Sequence, residues 1–432
     1  MEELKKVAAL ALEALKAAGA DDACVTAITA ETREFNVDSG EFSLFRTLFD
    51  NSLRLTAFRA HKRGTATLNR FDEESIRTAA AECLETAESG APDEAWTLAP
   101  EGLKKDFASE GYTPDLDKFF SRCRELMDGI KAEYPLVLME QMVLQHRGYR
   151  EVYLNTNGAE FTAVGGEYSV SLDFSGHNGE KGSSFFGGGF TTLDLDKPFI
   201  DQWIVRRSLA DAENSIDTVP VEGKFTGTIV LTPDCAMETI GTALSLFAGD
   251  VALIGGTSIW KDKLGGKVAA DCVTLSSAPR DSRIIGGECW TAEGFVSEDY
   301  DIIKGGVLQS FMLGQYAANR TGLPRAKNND DALILLPGEK SLDEIIAAIP
   351  DGLLVGRFSG GEPNAAGDFS GVAKNSFRIR DGKLAGAVSE TMISGNLSDL
   401  LKNVTAISRE TACDGTSVMP WVAASGVVIS GR

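Results

Sequence analysis

Histidine is almost missing from this chain. The 432 residues hold three, His61, His146 and His177, and none lies within four positions of another. A metal motif built on a local histidine pair is therefore excluded by spacing. The seven cysteines (Cys24, Cys83, Cys123, Cys235, Cys272, Cys289, Cys413) include no C-x-x-C pair, and an odd, scattered set argues against a disulfide framework. Buried reduced thiols are the expected state. Cations are short as well: 42 Lys and Arg against 63 Asp and Glu leave a net charge of −21. Phosphate neutralisation needs clustered Lys and Arg, and the longest basic run is the expected hairpin tip His61-Lys62-Arg63, so no direct nucleic-acid partner is expected. Apolar runs fall far short of the roughly 18 residues of a membrane span, so no membrane partner is expected either. The glycine-rich segment Gly182–Phe190 lacks the spacing of a dinucleotide or P-loop cradle and reads as a loop or strand edge.

What is present is the composition of a globular protein, 43% hydrophobic and 24% charged, in a chain long enough for two or three domains. The first residues carry acids at the start and an apolar stripe at helical spacing through Leu4, Val7, Ala11 and Leu15. They read as an amphipathic helix and not an export signal, which makes the cytoplasm the expected location. Strand-like runs at Cys24–Thr32, Glu34–Asp38, Glu41–Asp50, Ser52–Ala60 and Thr65–Asn69 follow, with turns expected at Ser39-Gly40, Asp50-Asn51 and Arg63-Gly64. A second helix is capped by Asp72. Residues 89–111 read as a linker, and a third helix follows Pro114. From about residue 221 the chain is rich in paired glycines and strands, with helices near Pro233–Ala248, Ser341–Ile349 and Ser398–Ser408. The expected class is α+β, divided as 1–100, 101–220 and 221–432: a helix and antiparallel-sheet region, a central α+β unit, and a glycine-rich, mainly β C-terminal domain.

The most informative stretch is Gly367–Ser408. It reads as a turn, a strand to Arg380, a reversal at Asp381-Gly382, a second strand to Ile393, and a helix capped at Ser398. Asp-Gly between alternating runs is a strong hairpin signal, since both central positions need φ > 0. These residues by themselves give a hairpin and a helix, and no chemistry.

The same stretch resembles a known family. The Gly367-Asp368-Phe369-Ser370 turn, the hairpin and Thr391-x-Ile393-Ser394-Gly395-Asn396-Leu397-x-Asp399-Leu400 are similar to the C-terminal signature of the TldD/PmbA proteins. The similarity extends to Asp301–Leu308 and to Tyr316 with Arg320–Leu323. The resemblance implies a metalloprotease-like fold, with the GDFS turn (Gly367, Asp368, Phe369, Ser370) as a candidate substrate-binding element. It also implies that the strand-to-helix segment after Leu231 is where the metal-bearing branch carries H-E-x-x-x-H, completed by a C-terminal Cys. Here the six residues are Met237-Glu238-Thr239-Ile240-Gly241-Thr242. Glu238 survives as the one candidate catalytic residue. Met237 and Thr242 replace the histidines, and Cys413 stands at the Cys position. A neutral thioether and a protonated hydroxyl do not substitute for imidazole on zinc. Each residue also has a structural reading: Met237 and Ile240 as core, Glu238 as a solvated residue favoured by the helix dipole, Cys413 as a buried thiol.

The departures match the PmbA/TldE-like branch. The resemblance then implies a chain that binds no cofactor itself and pairs with a TldD-like, zinc-bearing subunit to cleave unfolded peptides. It would contribute a wall of the cleft, holding an extended peptide by β-addition at Asp368–Ala373 or Gly305–Leu313. The alternatives are a homodimeric peptide-binding protein without catalysis, and a hydrolase working through Glu238 and Cys413. A homodimer is expected when the chain is alone.

Overall fold

The computed structural model describes residues 1–100, 102–389 and 391–431. The first helix, α1 (Glu2–Ala18), ends where Gly19 takes a left-handed conformation (φ 101°), a geometry that glycine adopts without steric cost. Three long strands follow or return to it: β1 (Asp22–Asp38), β2 (Glu41–Arg59) and, after β3 (Lys62–Leu68), α2 (Glu73–Ser89), β4 (Lys104–Ala108) and α3 (Leu116–Glu133), the strand β5 (Val137–Asn155). Next come β6 (Glu160–Asn178), β7 (Lys181–Gly182), β8 (Phe186–Thr192) and α4 (Val205–Asn214). One eight-stranded sheet results, in the order β3-β2-β1-β5-β6-β4, with β7 and β8 also on β6. Because β1 pairs with both β2 and β5, residues 1–100 and 101–220 share this sheet.

The long strands serve two separate cores. At one end Ala23, Val25, Ala27 and Val152 pack under α1 and α2. At the other Phe35, Val37, Met142 and Leu144 pack under α3 and α4, with Phe119, Leu126 and Leu209.

Several local expectations change. Asp50-Asn51 is not a turn: the two residues continue the ladder opposite Ala30 and Thr29, with their side chains exposed, so polarity costs nothing there. The reversal between β2 and β3 falls at Ala60 and His61, both at positive φ. Gly64 is needed instead for helix packing, since a Cβ there would lie 1.9 Å from the Cys83 carbonyl. The expected linker at 89–111 contains β4, paired in parallel with β6. His146 is buried and hydrogen-bonded to the Gly111 carbonyl at 2.7 Å; burial lowers its pKa.

The second sheet is built from β9 (Thr218–Val219) onward: β10 (Lys224–Leu231), α5 (Pro233–Phe247), α6 (Asp250–Ile254), β11 (Leu275–Ser277), β12 (Tyr300–Lys304), β13 (Val307–Leu308), α7 (Gln315–Thr321), β14 (Leu333–Leu335) and α8 (Leu342–Ala347). The chain closes with β15 (Asp351–Val355), β16 (Arg357–Gly360), β17 (Asp368–Lys374), β18 (Phe377–Arg380), β19 (Lys383–Val388), β20 (Thr391–Asn396), α9 (Leu397–Lys402), β21 (Val404–Cys413) and β22 (Val418–Ser430). The strand β22 is the spine, hydrogen-bonded along its length to β10, β14, β20 and β21. One face of this sheet packs on α5 through Ile229, Leu231, Ile240, Leu244 and Phe247. The other packs on α8 through Val230, Leu354, Ile345 and Phe377.

The reversal at Asp381-Gly382 is as expected, with φ of 51° and 73°. The helix after β20 starts earlier than Ser398 and is capped by Asn396, whose side chain accepts from the Ser398 and Asp399 amides. It ends at Lys402, and residues 404–413 form β21. No helix among the described residues is long and apolar enough to cross a membrane.

Candidate functional site

The strand β10 runs directly into α5 through Thr232 and Pro233. Proline suits the first helical position because its missing N–H would have no helical partner there. Thr232 caps without a side-chain bond to the helix; its hydroxyl donates to the Gly356 carbonyl (3.2 Å) and its amide to that of Val355 (3.0 Å). These bonds tie the start of α5 to the β15–β16 turn. The apolar face of α5 (Cys235, Ala236, Ile240, Ala243) is buried against the sheet. Glu238 is left exposed, with Met237 and Thr242 half-buried beside it.

Three recesses meet at Glu238. A cleft of about 690 Å³ is lined by Met237, Glu238 and Thr242 together with Asp250, Glu293 and Asp331. A smaller apolar pocket of about 100 Å³ lies between α5, β16 and β20, walled by Leu231, Phe358, Phe369, Ile393 and Leu397. A third recess of about 310 Å³ joins the two sheets, with Asp173 and Arg207 on one side and Asp234, Glu238 and Arg357 on the other.

The electrostatics are those of a carboxylate-rich cleft. Burial, and then the neighbouring charge of Asp414, push Asp234 up to about 7. Burial also raises Asp250 and Asp331, the latter further by Asp330. The Cys235 thiol is driven up to about 12 by burial and by Glu238, so it is protonated at neutral pH.

The residues at the expected metal positions do not fit zinc. The Met237 thioether packs against the core. The Thr242 hydroxyl donates to the Glu238 backbone carbonyl at 2.8 Å. Cys413 sits at the end of β21 with its thiol turned to the Arg283 carbonyl (3.6 Å), and burial raises its pKa. One exposed carboxylate on α5, a thioether and a hydroxyl already engaged do not make the donor set that zinc requires.

Of the GDFS turn, Phe369 alone lines the apolar pocket. Gly367 has φ 91°, and a Cβ there would lie 2.6 Å from the Phe247 ring. Asp368 is exposed and accepts from Asn364 (3.0 Å) and Asn396 (2.9 Å), while Ser370 is solvent-facing. The expectation of a free edge at Asp368–Ala373 is corrected by the pairing: this segment is bonded to β16 on one side and β20 on the other. Gly305–Leu313 is likewise partly occupied, through β12, Lys267 and Gly249. The free edge is one strand further out, at β16, which pairs only with β17 among the described residues. Asp234, Phe358 and this edge were not singled out from the sequence. The Pro233-Asp234 helix start was visible, but the burial and the Asp414 neighbour that perturb Asp234 arise only in the fold.

Residues 223–431 match the family profile of the PmbA/TldA metallopeptidase C-terminal domain. A Haemophilus influenzae metalloprotease PmbA homolog is 23% identical over 94% of this chain and 91% of its own length. A Methanothermobacter thermautotrophicus metalloprotease is 31% identical, over 44% of each chain. Among solved structures, TldE from Thermococcus kodakarensis superposes with a TM-score of 0.86 at 18% identity, covering 99% of this chain and 100% of its own. At such identity the superposition speaks to architecture alone.

Proposed function

The chain belongs to the TldD/PmbA family, and from that premise we propose that it is the non-metal, TldE/PmbA-like subunit of a two-chain zinc peptidase acting on unfolded peptides. The observation that carries this reading is the state of α5. The helix, its capping turn and Glu238 are retained at the mouth of a large cleft, while the flanking positions hold a core-packed thioether and a hydroxyl bonded back to the helix. The zinc, and the water it activates, would belong to a TldD-like partner.

What this chain's own residues supply is a wall. An extended peptide pairing with β16 would satisfy main-chain groups on the strand's open side. One of its side chains would enter the pocket walled by Phe358, Phe369 and Leu397. Main-chain pairing gives little sequence preference, and the pocket adds a preference for an apolar side chain at one position.

Fluorescence anisotropy with a labelled unstructured peptide tests the wall. Phe358→Ala should weaken binding by about tenfold, equivalent to about 1.4 kcal/mol, in a variant whose circular dichroism is unchanged. Unaltered affinity would remove β16 from the substrate path.

A further inference from the structure

The small pocket beside β16 owes its shape to glycine. Side chains alternate between the two faces of a strand. The register therefore places Phe358 and Gly360 of β16, Phe369 and Gly371 of β17, and Ile393 and Gly395 of β20 on one face of the sheet. Over two of these glycines an aromatic ring lies on bare backbone. A Cβ on Gly371 would come within 2.5 Å of the Phe358 ring and 2.8 Å of the Ser359 carbonyl, and one on Gly395 within 3.1 Å of the Phe369 ring. The two rings sit low on the sheet as a result, 5.6 Å apart and at 89° to each other. With Ile393 and Leu397 they wall the recess, and Gly360 lines it without closing it, having no side chain.

We infer that this recess is a size-selective subsite. It admits a branched aliphatic side chain of an extended peptide, valine to leucine, and turns away aromatic ones. Gly371 and Gly395 act as positioning residues that fix its width through the two rings. The inference rests on the reading of β16 as the peptide edge and names the side chain that edge selects.

Volume carries the argument. The recess holds about 100 Å³, roughly two-thirds of the 150 Å³ in which a buried apolar cavity takes up benzene. A phenyl or indole group would have to displace Phe358 or Phe369, and forcing extra carbons into a packed apolar site offsets what their burial gains. An isobutyl group needs no displacement, and each methylene buried is worth about fourfold in affinity. The wall keeps its size because neither ring swings freely: Phe369 is buried, and Phe358 packs against the same core. A peptide on the open side of β16 shows this face only alternate side chains. One position is thus selected for shape, while its immediate neighbours point away.

Fluorescence anisotropy on the full chain tests this, with labelled unstructured peptides identical except for Ala, Val, Leu, Phe or Trp at one central position. The Leu peptide is expected to bind at least tenfold tighter than the Ala peptide, with Val between them and Phe and Trp no tighter than Ala. Phe358→Leu, which shortens one wall, should tighten the Phe peptide at least tenfold and change the Leu peptide less than threefold. At Gly395 an added methyl meets only the Phe369 ring, so Gly395→Ala, with unchanged circular dichroism, should bring the Leu peptide within threefold of the Ala peptide. Phe or Trp binding as tightly as Leu, while Phe358→Ala still weakens the apolar peptides, overturns the size selection and leaves the edge reading standing. Equal affinity for all five peptides, untouched by Phe358→Ala, overturns both. A Leu preference that Gly395→Ala leaves unchanged overturns positioning by the glycines.

Discussion

Asp234 and Glu238 stand one turn apart on α5 and line one recess, yet their surroundings set them to different tasks. Glu238 is exposed, and on the two-chain reading it is a wall residue. Glu238→Gln should therefore leave peptide turnover by the mixed subunits within about twofold, whereas loss of a general base typically costs 10²-fold or more; steady-state kinetics of the mixture decide between them. Asp234 is held near 7 by burial and by Asp414, above the ordinary 3.8. A folded-state value above the unfolded one means that the folded chain holds the extra proton. The stabilisation is complete below about pH 4 and is lost as pH rises through about 7. The whole of that difference would be worth about 4 kcal/mol, and partial solvation of this half-buried group reduces it to about 2 kcal/mol. Urea unfolding at pH 5 and pH 8 should show Asp234→Asn losing less stability than the parent over that interval. Parallel losses would show that Asp234 titrates normally.

At the scale of elements, the parts set by local chemistry were legible in the sequence and the parts set by distant neighbours were not. Asp381-Gly382 announced its reversal because the turn type demands positive φ at both residues. Gly382 carries a second constraint, since a Cβ there would come within 2.6 Å of the Ala347 carbonyl. Gly382→Ala should accordingly cost about 2 kcal/mol in chemical denaturation. Thr232-Pro233 announced α5 in the same local way. Asn396 was missed as the cap of α9 in favour of Ser398. Its side chain also donates to Ala366 and Asp368, contacts that no local pattern contains. Asn396→Ala should cost about 1–2 kcal/mol, and stability unchanged within a few tenths would mean that these bonds are replaced by water. The supposed edge at Asp368–Ala373 failed for a related reason: alternation of side chains shows a strand but does not say which neighbours it finds. Similarly, Asp50-Asn51 has the composition of a turn, and only an exposed position in a long ribbon lets those residues stay in a ladder.

At the scale of the molecule, the two halves are joined by an apolar cluster in which Trp290 packs on Tyr153 and Phe161 of the first sheet, and by specific polar and aromatic contacts elsewhere. Trp96 stacks on Tyr316 at 3.8 Å, Tyr316 donates to Asp93 at 2.9 Å, and the Thr191 amide donates to the Asp414 carbonyl at 2.6 Å. Trp96 and Tyr316 both line the large cleft, so the segment that crosses from the first sheet also shapes the site. Tyr316→Ala should make residues 91–100 cleave several-fold faster in limited proteolysis while leaving each sheet folded; an unchanged rate would mean that the strap is held by other contacts. Family membership was legible from the GDFS turn and the hairpin beyond it. The chemistry turned on Met237 and Thr242, where donor type could be read directly and the engagement of the Thr242 hydroxyl could not. The central claim is that this chain shapes a peptide cleft but acts only with a metal-bearing partner. It is tested most directly by assaying cleavage of an unstructured peptide, with zinc present, by this chain alone, by a TldD-like chain carrying H-E-x-x-x-H alone, and by the two mixed. Turnover by the mixture, abolished by chelator and at least tenfold above the sum of the separate chains, is the predicted result. Chelator-sensitive turnover by this chain alone would contradict it.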